Sequence, residues 1–228
     1  MAGTILRLNG IHKHYGNKSI LSNINLDVLS DDILGIIGPN GSGKSTLIKI
    51  MLGLVFPSAG TVSHRLIKPS EIRAVLDKPG FFPGFTLNKN LSLFTSVPDL
   101  RYKHAVTELP GIESWLSRPF GQCSAGIQKR CELAAALLHD PRLLILDEPT
   151  NGLDPTGVYE FRTAIREVYA KGCPVVITSH ALSELERICT RLCFLKQGRI
   201  QMVSTKETLL SRFSDLENAY RYFNLEKK

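Results

Sequence analysis

The chain of 228 residues carries 28 Lys and Arg against 21 Asp and Glu, a net charge of +7 with an isoelectric point near 9.2, yet its basic residues are scattered and no nucleic-acid partner is expected. A hydrophobic fraction of 43% supplies a core for one domain, or for a domain with a small lobe, and excludes a disordered chain. No apolar run approaches the roughly 18 residues of a membrane span, and no basic-then-apolar leader opens the chain, so the expectation is a cytoplasmic protein that reaches a membrane only through a partner.

Residues 5–8 (Ile-Leu-Arg-Leu) and 24–28 (Ile-Asn-Leu-Asp-Val) read as strands, the second alternating apolar and polar as a half-buried strand does. Between them His14-Tyr15-Gly16-Asn17 reads as a loop. The Tyr15 ring is either partly buried or a stacking surface for a base, since every base offers a π-face.

Ile33 to Ile37 is a short apolar run, a buried strand. It leads into Gly38-Pro39-Asn40-Gly41-Ser42-Gly43-Lys44-Ser45-Thr46, which matches G-x-x-x-x-G-K-[ST]. Lys44 to Leu54 then places Leu47, Ile48, Met51 and Leu52 at helical spacing. Strand, glycine turn and helix are the context this phosphate-cradling loop requires. Its glycines let the backbone approach a polyphosphate, and its N–H groups converge at a helix N-terminus that favours negative charge. Lys44 would reach the outer phosphates, and the Ser45 hydroxyl would ligand Mg²⁺.

Gly53 to Gly60, with Pro57, closes the helix. Ala74-Val75-Leu76 reads as a strand ending at Asp77. Lys78 to Phe85 follows, with three phenylalanines within five residues in a segment whose prolines and glycines exclude regular structure. Such an aromatic loop favours a partner contact over burial in its neighbour. Residues 86–120 suit a small helical lobe in which Thr86 caps Leu87 to Phe94.

Cys123-Ser124-Ala125-Gly126-Ile127-Gln128-Lys129-Arg130 opens a helix running to about His139, and taken alone Ser124 reads as an ordinary N-cap. Leu143 to Leu146 is apolar enough for a central parallel strand, and Asp147 and Glu148 follow at the end where α/β sheets place ligands. Asp147 fits a Mg²⁺ holder beside the phosphate loop, and Glu148 a group that orients or deprotonates water. Pro149 to Pro155 is a turn, and Thr156 to Ala170 an amphipathic helix. Pro174 to Thr178 is another apolar strand, with His180 at its tip either structural or in contact with a terminal phosphate. Ser183 to Cys189 is helical, and Gln197-Gly198 joins Arg191–Leu195 to Arg199–Val203 as a hairpin. A polar helix and tail end the chain. Five cysteines at irregular spacing read as small buried hydrophobes; the alternative is that Cys189 and Cys193 share a helix face as half a metal site.

Taken together, these segments resemble the ABC-type ATPases. Gly38–Thr46, Cys123–Arg130, Leu143–Glu148, Asn151–Asp154 and His180 look like that family's Walker A, signature, Walker B, D-loop and switch-histidine motifs, in order and in register from about Ile5 to Val203. Leu146 to Pro155 and Ser179 to Glu184 are similar to ATPase subunits of bacterial bacitracin and lantibiotic-immunity exporters. The resemblance implies an α/β fold: a P-loop NTPase core with a mainly parallel sheet (1–85 and 121–205), an N-terminal antiparallel part, a helical lobe (86–120) and a C-terminal helix and tail (206–228).

It also implies a mechanism that takes two copies. ATP with Mg²⁺ would lie between residues 38–46 of one copy and Ser124 and Gly126 of a homologous or identical partner, Tyr15 would stack on adenine, Glu148 would act as base and His180 as γ-phosphate sensor. An integral membrane permease would be driven from its cytoplasmic side, with the aromatic loop after Asp77 lying where that partner meets the family. Two departures stand out: the signature reads Cys-Ser-Ala-Gly-Ile where the family has Leu-Ser-Gly-Gly-Gln, and Asp77 stands where the family has a metal-contacting glutamine. The competing classes are a soluble ABC ATPase in translation or DNA repair, which usually has tandem domains or a long coiled-coil insertion, and a module that binds ATP without turnover.

Overall fold

The computed structural model describes residues 3–77, 80–94 and 112–225. Its first part is a three-stranded antiparallel sheet, order β2-β1-β4, made from β1 (Thr4–Tyr15), β2 (Lys18–Leu29) and β4 (Ala59–His64). Half of the expected loop at residues 14–17 is strand. His14 and Tyr15 remain in β1, and Tyr15 pairs with Lys18 across a two-residue turn in which Gly16 has φ 55°. The positive φ at glycine suits the tight, right-twisted hairpin turn, so pairing continues to its last possible residue.

The second part is a six-stranded sheet in the order β5-β6-β7-β3-β8-β9. Its strands are β3 (Ile33–Ile37), β5 (Ile72–Val75), β6 (Leu143–Asp147), β7 (Val175–Thr178), β8 (Arg191–Lys196) and β9 (Arg199–Thr205). All neighbours are parallel except β8 and β9, joined through Gln197-Gly198, both at positive φ. Every residue of β3, β6 and β7 is buried, because helices cover one face and the antiparallel sheet with one helix covers the other.

Strand alternation divides the apolar side chains between two cores. Leu34, Ile36, Ile145, Val176, Cys193 and Leu195 join the antiparallel sheet and α1 (Lys44–Met51). Ile33, Ile37, Leu144, Val175, Ile177 and Phe194 join the core under α3 (Ala125–Leu137), α4 (Pro155–Ala170) and α5 (Leu182–Ile188), which also takes in α2 (Leu87–Leu93). Cys189 and Cys193 therefore lie on opposite faces of the sheet. The chain turns from helix to strand between them, so they share no helix face, and all five cysteines are free and buried. Burial pushes the Cys131, Cys173 and Cys193 thiols up to about 12.

Thr86 caps α2 as expected, accepting from the Lys89 N–H at 3.1 Å; the rest of the expected lobe between residues 95 and 111 lies outside the described residues. The C-terminal part is more than a polar helix and tail. Two short helices, α6 (Lys206–Arg212) and α7 (Leu216–Tyr220), and a π-helical turn over Arg221–Leu225 bury Leu209, Leu216 and Ala219 against the helix-side core. No helix among the described residues is long and apolar enough to cross a membrane.

Candidate functional site

Residues 38–46 connect β3 to α1, and glycine is required at two of their positions. Gly43, the N-cap of α1, has φ 107°, and a Cβ there would stand 2.7 Å from Leu21. A Cβ on Gly38 would stand 2.2 Å from the Leu195 carbonyl oxygen. The loop is braced from outside: the Gly198 N–H donates to the Ser42 carbonyl at 3.0 Å, and the Ser22 N–H donates to the Gly198 carbonyl at 2.8 Å.

This loop forms one wall of a cleft of about 1020 Å³. All of residues 38–46 line it, and so do Asp77, Glu148 and His180 from the ends of three other segments. Lys44 is only 6% exposed, and its ammonium donates to the Gly38 carbonyl at 2.7 Å. It also lies 3.8 Å from Glu148 Oε1, while Oε2 of the same carboxylate lies 2.9 Å from His180 Nδ1. Cation, carboxylate and imidazole thus form a connected line along the cleft.

Glu148 reaches that position through an uncommon backbone. It follows the last residue of β6 with φ 49°, in the left-handed region, and its N–H donates to the Thr178 carbonyl at 3.2 Å and to Thr178 Oγ1 at 3.0 Å. Such a conformation costs on the order of 1–3 kcal/mol and persists only where the surroundings impose it. Thr178 also donates its hydroxyl hydrogen to Asp147 Oδ1 at 2.6 Å. One threonine therefore fixes both acidic residues, a role that the sequence reading missed.

The remaining expected residues fall in three places. Asp147 is 3% exposed and stands behind the cleft wall, not on it. Ser45 and Asp77 line the cleft, as Glu148 does, so hydroxyl and carboxylate oxygens lie beside the phosphate loop, with the Asp147 carboxylate behind. No group of three His, Cys, Asp or Glu converges as a closed metal cage among the described residues. That donor set fits Mg²⁺, which prefers oxygen and completes its shell with waters and substrate phosphates. Ser124, Gly126 and Tyr15 do not line the cleft. Ser124 is the N-cap of α3, its Oγ accepting from the Ile127 N–H at 3.4 Å, as read from the sequence. Tyr15 is half exposed, with the Lys13 ammonium 4.8 Å from its ring centre.

The cleft also recruits residues the sequence did not advertise. Lys18, Ser19 and Ile20 come from the start of β2, and Gln197 from the β8–β9 turn. Tyr220 comes from α7. Lys129 on α3 donates to the Leu76 carbonyl, next to Asp77, at 3.0 Å and pairs with Glu132 at 3.1 Å, tying the Ser124 helix to the Asp77 segment. Burial raises the Glu132 carboxyl above its ordinary range, with the Lys129 charge pulling it back.

The aromatic loop divides between its two readings. Phe81 tucks into the lobe with its ring centre 5.0 Å from Phe120 and 5.3 Å from Phe94, while Phe82 and Phe85 stay exposed, their tilted rings 5.3 Å apart. Asn90, fully buried, accepts from the Phe82 N–H and donates to the Phe82 and Phe85 carbonyls, which holds the turn open to solvent.

Comparison with known proteins agrees with this geometry. Residues 21–151 match the family model described as ABC transporter. The uncharacterized ABC transporter ATP-binding protein YdbJ of Bacillus subtilis (strain 168) is 38% identical over 214 residues, covering 88% of this chain and 69% of that protein. The lantibiotic transport ATP-binding protein SrtF of Streptococcus pyogenes is 32% identical over 229 residues, covering 96% of each. A solved structure of an ATP binding subunit of an ABC transporter superposes with a TM-score of 0.85 at 25% identity, covering 96% of this chain and 99% of that one.

Proposed function

From the premise that this chain belongs to the ABC transporter family, as an ATP-binding subunit and ATPase, we propose that it powers an exporter by closing and opening a dimer of such subunits beneath a membrane permease. The line from Lys44 through Glu148 to His180 is the observation that carries this reading. Lys44 would bind the outer phosphates of ATP, Glu148 would take a proton from the attacking water, and His180 would hold the terminal phosphate in register. Ser45, with Asp147 and Asp77, would hold Mg²⁺, which supplies charge neutralisation at the outer phosphate oxygens.

The dimer follows from what the single chain lacks. Ser124 and Gly126 lie at the start of a 13-residue helix but outside the cleft, so their N-terminal N–H groups are available to the terminal phosphate bound by a second ATPase subunit, identical or homologous. Tyr15, beside the hairpin turn that feeds Lys18–Ile20 into the cleft wall, would stack on adenine. Phe82 and Phe85 would receive a cytoplasmic segment of the permease, which places the protein at the inner face of the membrane. Likeness to the Nod factor export ATP-binding protein I of Burkholderia orbicola (strain AU 1054), 34% identical over 203 residues, supports export as the direction.

The test is recovery of the partner. Tagged Glu148→Gln chain, purified in mild detergent with ATP from its native cells, should bring down one polytopic membrane protein in near-equal amount. Recovery of ribosomes or nucleic acid instead, or of nothing from the membrane, would overturn the transporter reading.

A further inference from the structure

We propose that the C-terminal segment completes the phosphate end of the cleft, with the Tyr220 hydroxyl donating a hydrogen bond to the terminal phosphate of ATP; the inference rests on reading the cleft as an ATP site.

Tyr220 is the last residue of α7 and lines the cleft together with His180 and Leu182. Its position is fixed from two directions. On one side α7 packs on α5, the helix that begins two residues after His180: the Leu216 N–H donates to Glu186 Oε2 at 2.8 Å, and Leu216 and Ala219 are buried at 1% and 0% exposure. On the other side the chain passes into the π-helical turn over Arg221–Leu225 and packs the Phe223 ring 4.9 Å from that of Phe194. Phe194 pairs with Ile37, the residue before Gly38. The segment is therefore keyed both to the helix behind His180 and to the strand that feeds the phosphate loop. Wide π-type turns of this kind recur beside functional sites.

The orientation of the cleft says which end of the nucleotide Tyr220 meets. Lys44 marks the outer phosphates, Glu148 lies 3.8 Å from its ammonium, and His180 lies 2.9 Å beyond Glu148. Tyr220 is attached to the His180 side through the packing of α7 on α5. Among the described residues its hydroxyl has no hydrogen-bond partner, although the ring is half-buried against the core. A phenol is a neutral donor, so it can bond a phosphate oxygen without adding charge to a cleft that already holds a lysine and a histidine. Such a bond is available to ATP and not to ADP, which makes the C-terminal segment a reader of nucleotide state.

Tyr220→Phe keeps the ring and its packing and removes only the hydroxyl. Full-length wild type and Tyr220→Phe are titrated with a non-hydrolysable ATP analogue and with ADP, each with Mg²⁺. The expected result is a loss of about tenfold or more in affinity for the analogue, the size of a hydrogen bond to a charged group, with ADP affinity unchanged. Unchanged affinity for the analogue, or an equal loss for both nucleotides, overturns the proposal. Wild type that binds neither nucleotide overturns the ATP-site reading itself, so the two failures are told apart.

Discussion

The Glu148 carboxylate holds His180 twice: Oε2 lies 2.9 Å from the imidazole Nδ1 and accepts the backbone N–H of the same residue at 3.3 Å. Its other oxygen faces Lys44, so one side chain bridges the phosphate-binding lysine and the histidine. Glu148→Gln preserves that shape and removes the basicity. Hydrolysis should fall by about 10²–10⁴-fold, the usual contribution of a positioned base, while nucleotide binding persists. Phosphate release measured beside nucleotide titration checks this, and turnover at the wild-type rate would remove Glu148 from the role of base.

Lys44 offers a sharper separation of binding from folding. Its side chain is 6% exposed and its ammonium donates to the Gly38 carbonyl at 2.7 Å, so the residue is built into the loop before any phosphate arrives. Lys44→Ala should lower nucleotide affinity by about tenfold or more, as expected for loss of a charge-assisted hydrogen bond. Lys44→Arg should fail to restore it, because a planar guanidinium cannot occupy a site shaped for a compact ammonium. Full recovery by the arginine variant would show that charge alone matters there.

Much of this was legible in the sequence, for reasons visible in particular residues. Ile33–Ile37 and Leu143–Asp147 are buried on both faces, so they appear as unbroken apolar runs, and the glycines before Lys44 announce the only backbone that fits. What stayed hidden depends on contacts between distant segments. Tyr220 belongs to a set, Leu209, Phe213, Leu216, Tyr220 and Phe223, spaced by three or four residues as on one helix face, but Ser214-Asp215 interrupts it and starts a second helix, so the stripe reads as a polar tail. Cys189 and Cys193 carry the converse lesson: a spacing of four means a shared face only if the helix continues, and the favoured reading of small buried hydrophobes holds. The bond from Lys129 to the Leu76 carbonyl crosses 53 residues, and no local pattern encodes it.

Asp77 should set the metal requirement. It lines the cleft with Ser45, and its carboxylate is an exposed acidic oxygen source there. Asp77→Ala should raise the Mg²⁺ concentration needed for half-maximal hydrolysis by several-fold and leave metal-free nucleotide binding unchanged. A Mg²⁺ titration of phosphate release with an identical midpoint would place Asp77 outside the metal's shell.

The Lys129–Glu132 pair predicts a pH-dependent defect. Both side chains are largely buried, at 11% and 7% exposure, and burial raises the Glu132 carboxyl while Lys129 opposes the rise. A carboxyl held higher in the folded chain than in the unfolded one binds more protons when folded. Its stabilising contribution is complete below the unfolded value and is lost as pH rises through the folded one. Lys129→Met removes the opposing charge, leaves the carboxylate without its buried partner at a cost of about 3–5 kcal/mol near neutral pH, and moves that window upward. Its unfolding midpoint should fall further below wild type at about pH 8 than at about pH 5. Adding Glu132→Gln should flatten the difference. A deficit independent of pH would assign the loss to packing and to the lost bond to the Leu76 carbonyl.

Phe82 and Phe85 test the membrane side of the proposal. They are 57% and 42% exposed, lie with tilted rings 5.3 Å apart, and are presented by a turn whose carbonyls are anchored on buried Asn90. Anchoring a turn that exposes two aromatic rings leaves an apolar patch with no further aromatic partner among the described residues, and such rings are the side chains that dominate docking energies when a partner buries them. Replacing both by Ser should leave the unfolding midpoint close to wild type, because neither ring belongs to the buried core. The same change should sharply reduce the amount of polytopic membrane protein recovered with the chain. Phe81→Ser is the contrasting case. That ring packs on Phe120 at 5.0 Å and is 7% exposed, so its loss should lower stability by about 3–5 kcal/mol, as for other large-to-small aromatic core changes. If the Phe82 and Phe85 double variant recovers the membrane protein as wild type does, the docking surface lies elsewhere on the chain.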